Sequence, residues 1–81
     1  MQTAKNRLHV LNAFLHHKQI EVKTDDGWGC VGYINSITNE DGTSHSWILS
    51  MYASSAIYPC TVQVYMRFNR KTKELDTCKI V

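Results

Sequence analysis

Proline occurs once in these 81 residues, at Pro59, and no apolar run approaches the roughly 18 residues that a membrane-spanning helix requires. The chain begins on a helical pattern in place of a basic start followed by an apolar block. Neither a membrane segment nor a secretory signal is therefore expected, and the reading is a soluble, cytoplasmic protein. Cysteine is scarce and unpaired: Cys30, Cys60 and Cys78 form an odd set with none of the close spacing of zinc knuckles. Each lies in a strand-like run, so reduced, mostly buried thiols are expected. Also missing are a Ser-His-Asp order, paired carboxylates at catalytic spacing and a glycine loop that would cradle phosphate. The expectation is a non-enzymatic protein without a cofactor.

The histidines add no metal site to that reading. His16 and His17 are adjacent and His9 lies seven residues before His16, whereas a metal wants ligands at one-turn spacing or a thiolate or carboxylate beside them. At the end of a helix, His16 and His17 are expected to cap its C-terminus and meet the negative end of its dipole.

Charge of one sign does not dominate either, since the net charge is only +2. Its distribution is uneven. Residues 1 to 23 carry +3, residues 67 to 81 carry +3, and the acidic middle holds Asp25, Asp26, Glu40 and Asp41. Such a pattern can place one positive face on a fold. An apolar content of 43% with 20% charged residues is that of a globular chain, and the length allows one domain, spanning residues 1 to 81, with a modest stability margin that self-association would raise.

From about Thr3 to Lys18, Ala4, Leu8, Leu11 and Leu15 recur at helical spacing, with Val10 and Phe14 widening the stripe, which predicts an amphipathic helix capped by Thr3. Alternation begins at Ile20. The segment "IEVKT" predicts a first strand, "DDGW" a tight turn, residues 30 to 38 a second strand, and "SWILSMY" a third after the Asp-Gly turn of "NEDGTSH". "ASSAIYP" reads as a loop, "CTVQVYMRFN" as a long fourth strand with Val62, Val64, Met66 and Phe68 facing one way and Gln63, Tyr65 and Arg67 the other, and "LDTCKIV" as a fifth strand.

Three glycines, Gly27, Gly29 and Gly32, crowd the start of the second strand. Glycine inside a strand marks a bend or a close backbone approach. A flat five-stranded sheet would leave an apolar face exposed in so small a domain. The expectation is therefore a mainly β fold with an N-terminal helix: a small, strongly bent five-stranded antiparallel barrel over residues 20 to 81. Unpaired edges are expected at the fourth and fifth strands.

The stretch "LNAFLHHKQIEVKTDDGWGCVGYINSI", with its Gly-x4-Gly spacing between Gly27 and Gly32 and the apolar Ile34 beyond, resembles the Sm-like family, including its Hfq branch. The resemblance is closest over residues 8 to 52 and covers residues 60 to 81 in outline. It implies an Sm-like barrel that closes into homo-oligomeric rings of about five to seven copies and binds RNA or single-stranded DNA. In the family an arginine ends the fourth strand, where this chain has Arg67, followed by Phe68 in the place of a glycine; the base-gripping loop corresponds to the longer "NEDGTSHS".

Single-strand binding needs cations for phosphates and flat side chains for bases. Arg67, Arg70 and Lys71 supply the first, and Tyr65 the second; Asn39 and His45, at the ends of the hairpin loop, can read base edges. These six are the expected nucleic-acid contacts. Trp28, Tyr33, Tyr52, Tyr58 and Phe68 are further candidate rings, with Lys23 a further cation, and each ring reads first as core or interface filler. The alternative from another class is a small α+β protein-interaction module, such as a viral accessory factor, that uses the same edges to hold a protein.

Overall fold

Asn6, not Thr3, caps the helix. In the computed structural model, which describes residues 1–39, 45–53 and 60–81, Asn6 has extended backbone torsions and its Oδ1 accepts the His9 N–H at 2.9 Å. Helix α1 therefore runs only over Arg7–Leu15. Thr3 is taken by the sheet: Gln2–Thr3 form a short strand, β1, parallel to the start of the next strand, and the Thr3 hydroxyl donates to Glu21 at 2.8 Å. Sheet pairing satisfies those backbone groups before a helical turn can use them.

The helix ends before Lys18 for an equally local reason. His17 adopts the left-handed region, φ 52°, while the Lys18 N–H reaches the Ala13 carbonyl at 3.0 Å and the His17 N–H points at that of Phe14. This is a Schellman stop with histidine at the position usually held by glycine. The capping role expected of the histidine pair is thus carried by the His17 backbone.

Because β1 and the Ala4 N–H bond to Glu21 anchor the chain just before it, the helix is rotated from the face that its leucine spacing suggests. Val10 and Ala13 are buried, Leu11 and Phe14 half-buried, and Leu8 and Leu15 remain 63% and 65% exposed. The Leu8–Leu15 stripe is solvent-facing.

The other strands are β2 (Ile20–Lys23), β3 (Gly29–Asn39), β4 (Ser46–Ala53), β5 (Cys60–Phe68) and β6 (Leu75–Ile80). They form one sheet in the order β1-β2-β3-β4-β5-β6, antiparallel from β2 onward. The sheet has six strands where the sequence suggested five, and it is a strongly curled open sheet, a half-barrel. The fourth of the expected strands, now β5, is flanked by β4 and β6 and is no edge. Its hairpin with β6 occupies the side that was expected to be free.

Curling brings the far ends together. The Leu75 N–H bonds to the Lys5 carbonyl at 2.8 Å, the Arg7 N–H to that of Lys73 at 2.9 Å, and the Asp25 N–H to that of Cys78 at 2.9 Å. Asp25 Oδ2 accepts the Cys78 N–H in return at 3.1 Å. The bend itself comes from β3, where a bulge between Ile34 and Ser36 shifts the register against β4. Gly27 serves the β2–β3 turn instead, at φ 93°; there Asp26 accepts bonds from the Thr24 hydroxyl and the Trp28 N–H, which hold its carboxyl below the ordinary aspartate range.

The concave face of the sheet and the helix enclose the core. Val10, Ile20, Val22, Leu49, Met51, Val64, Met66 and Phe68 are essentially inaccessible, and Trp47 meets Phe68 edge to face with ring centroids 4.9 Å apart. Cys30 and Cys78 join this core, while Cys60 is exposed, contrary to the expectation of its strand pattern, because it stands at the very start of β5. All three are free thiols.

Candidate functional site

The β5–β6 turn is built around one side chain. Asn69 Oδ1 accepts the N–H groups of Lys71 and Thr72 at 2.8 and 2.9 Å, its own N–H bonds to the Glu74 carbonyl, and its carbonyl accepts from Lys73. Such a turn exposes the residues between its anchors, here Arg70 and Lys71. Lys73, at φ 66°, completes the reversal, with its ammonium on the Arg70 carbonyl at 2.6 Å.

Across from this turn, the Phe68 N–H donates to the His45 carbonyl at 2.7 Å, which fastens the start of β4 to the end of β5. The imidazole Nε2 of His45 then lies 3.4 Å from Arg70 Nη2. His45, Arg67, Arg70 and Lys71 thereby line one open depression of about 550 Å³, with Phe68 and Asn69 in its floor and Asp76 and Thr77 on its β6 wall. Among the described lining residues three permanent cations face one carboxylate, a positive balance, and the depression is open enough for hydrated or flexible groups. Its chemistry is that of anion binding, with guanidinium forks suited to phosphate oxygens.

Of the six residues singled out from the sequence, four converge on this depression. Tyr65 stands beside it, two residues before Arg67 on the same outer face, half-buried, with its hydroxyl accepting from Ser46 Oγ at 3.0 Å. Asn39 is elsewhere. It pairs in register with the buried Trp47, so strand alternation puts it on the opposite face of the sheet from Arg67, at the exposed end of β3. The loop of residues 40–44 between Asn39 and His45, and Tyr58 with Pro59, lie outside the described residues.

Three lining residues were missed. Asn69 had a signal, since an Asn before a polar, glycine-free turn is a ready backbone acceptor. Thr77 follows only from its register with Arg67, and Asp76 from the register shift beside it, neither of which has a local sequence mark.

Nothing in the described residues resembles a metal centre: no group of three His, Cys, Asp or Glu side chains there is placed to hold an ion. His9 is engaged with its own helix start, its Nδ1 accepting the Lys5 N–H at 3.2 Å. No helix among the described residues is long and apolar enough to cross a membrane. No family model, no curated protein and no solved structure matches the chain.

Proposed function

We propose that this protein is a non-enzymatic binder of single-stranded nucleic acid, RNA or single-stranded DNA, and that it holds phosphates in the depression lined by His45, Arg67, Arg70 and Lys71. The observation that carries the reading is the convergence of these four side chains, from the residue before β4, the end of β5 and the turn after it, on one open surface rich in cations. Phosphate contacts fix a strand in place, and the neighbouring Tyr65 ring offers a flat surface to a base. The Sm-like ring that the sequence resemblance implies belongs to the same proposal. Light scattering on the eluting protein tests it, and a monomer at micromolar concentration removes the ring while leaving the depression as a site.

Fluorescence anisotropy with short labelled U-rich, A-rich and mixed RNAs, at low and moderate salt, tests the binding itself. Counterion release makes the affinity fall steeply as salt rises. Absence of binding to all of them at about 10 µM, an order of magnitude inside the range of ordinary non-specific contacts, refutes it.

A second reading, a protein-interaction module, is favoured by one feature: Leu8 and Leu15 project from the same face of α1 into solvent. Binding through that face would depend little on salt, which separates the two readings.

A further inference from the structure

On the outer face of the sheet, Tyr33 of β3 and Tyr52 of β4 stand directly opposite one another in register. They are 42% and 43% exposed. Opposed residues on one sheet face have Cβ atoms about 5 Å apart, so the two tyrosines stand side by side on this face. Such a pair on the convex side of a curled sheet has nothing to gain from burial there, since the core lies on the other face.

The pair is not isolated. Tyr52 pairs with Thr61 at the start of β5, and from Thr61 the same face continues along that strand through Gln63 and Tyr65 to Arg67. Lys79 of β6 lies opposite Tyr65 and is exposed. Six residue steps along β5 lead from Thr61 to Arg67, about 20 Å at the usual rise. Along that strip the described outer-face residues of β4 and β5 are tyrosine, small polar groups, one isoleucine and finally Arg67, with no carboxylate among them. Beside Tyr33, Glu21 of β2 shares this face through its pairing with Val31 and is tied to Thr3 and Lys23; from Tyr52 to Arg67 the surface runs from aromatic and uncharged to cationic.

We propose that this strip is the path of a bound single strand of nucleic acid: bases stack on Tyr33, Tyr52 and Tyr65, while the backbone leads to its anchor at Arg67, with Lys79 holding a phosphate midway. The inference rests on the nucleic-acid reading of the depression and extends it. The occupant follows from complementarity, because three rings leading to Lys79 and Arg67, with no carboxylate on the outer faces of β4 and β5, suit a polyanion with flat, apolar bases. A length of about 20 Å added to the depression falls within the roughly 4–16 nucleotides covered by small single-strand-binding barrels.

Binding of labelled oligouridines of four and ten nucleotides, measured by anisotropy in moderate salt, separates the strip from its anchor. The unmodified protein binds the longer strand more tightly. Replacing both tyrosines, Tyr33→Thr with Tyr52→Thr, should weaken the ten-nucleotide strand by tenfold or more and leave the four-nucleotide strand unchanged, because each lost stack is worth about a factor of ten. Tyr33→Phe with Tyr52→Phe should retain binding, since the ring and not the hydroxyl does the stacking. Arg67→Ala should weaken both lengths. A folded Thr variant, checked by circular dichroism, that binds ten nucleotides as well as the unmodified protein overturns the strip and leaves the depression standing. Failure of the unmodified protein to bind either length overturns both. If the double variant does not fold, Tyr52→Leu alone carries the same comparison, and undiminished affinity for the ten-nucleotide strand overturns the strip.

Discussion

A Cβ built on Gly32 would lie 1.9 Å from the carbonyl oxygen of Tyr52 and 2.9 Å from Cα of Ala53. Both obstacles are backbone of the neighbouring strand, so no side-chain rotation relieves them. The close approach lies where Gly32 of β3 pairs with Ala53 at the end of β4.

Gly32→Ala is therefore expected to be as disruptive as Gly32→Val, because the clash is with the first side-chain carbon. A loss of at least about 3 kcal/mol is expected, enough to unfold a marginal domain. Thermal melting checks it. Gly29→Ala is the control, since a Cβ there meets nothing closer than 3.4 Å, and its melting temperature should move much less.

Asp25 latches the curled sheet, with its N–H and one carboxylate oxygen both bonded to Cys78. Asp25→Ala removes the charged acceptor and should cost about 1.5–3 kcal/mol, whereas Asp25→Asn keeps an acceptor oxygen and should cost less. Urea titration gives the stability difference. Hydrogen exchange at the Cys78 amide should speed up in the alanine variant ahead of amides in β4.

His17 pays for its left-handed backbone. Its φ of 52° is one that a side chain disfavours, and nothing but the helix stop requires it. His17→Gly should stabilise the protein by about 0.5–1 kcal/mol, seen as a raised melting temperature, while Gln19 and Ile20 beyond the stop keep their places.

The Cys78 thiol is pushed up from 9.0 to about 11, first by burial and then by the charges of Asp25, Cys30 and Asp26. Burial raises Cys30 in the same direction. A raised thiol keeps its proton in the folded state after the unfolded chain has lost it. Its contribution to stability is therefore complete below about pH 9 and disappears as pH rises toward 11. The urea midpoint should fall over that window, and less so in Cys78→Ala. In the native protein at pH 8, iodoacetamide should modify the exposed Cys60 well before Cys30 or Cys78.

Arg67 and Arg70 face the same depression, so alanine at either should weaken binding to every RNA sequence and shallow the salt dependence by about one phosphate contact each. Asn39→Ala, on the other face of the sheet, should leave affinity at the depression unchanged. Anisotropy at several salt concentrations reads both.

Much of the strand layout was legible in residue order, because it depends on neighbours in the chain. Val62, Val64, Met66 and Phe68 alternate against Gln63, Tyr65 and Arg67, and that period belongs to a pleated strand with one face in the core. The Asp-Gly turn at residues 25–27 and the five main strands follow from the same short-range preferences, whereas the bend lies at the Ile34–Ser36 bulge and not at the glycine cluster. The aromatic and cationic residues of β5 could be named from the sequence on that basis.

What the sequence could not decide depends on partners far along the chain. Thr3 against Glu21 turned an expected helix cap into a sixth strand, and that anchor rotated α1 so that Val10 and Ala13, not Leu8 and Leu15, face the core. The hairpin of β5 with β6 removed an expected edge. His45 and Arg70 are 25 residues apart and meet only because the Phe68 N–H finds the His45 carbonyl. Tyr33 and Tyr52 become neighbours only through the register of β3 on β4, shifted by the bulge before Ser36. Local spacing determines which face of a strand a residue takes, because alternation is a property of the backbone itself. Which residues share a surface is decided by strand register and sheet curvature, and those are set by long-range hydrogen bonds and core packing.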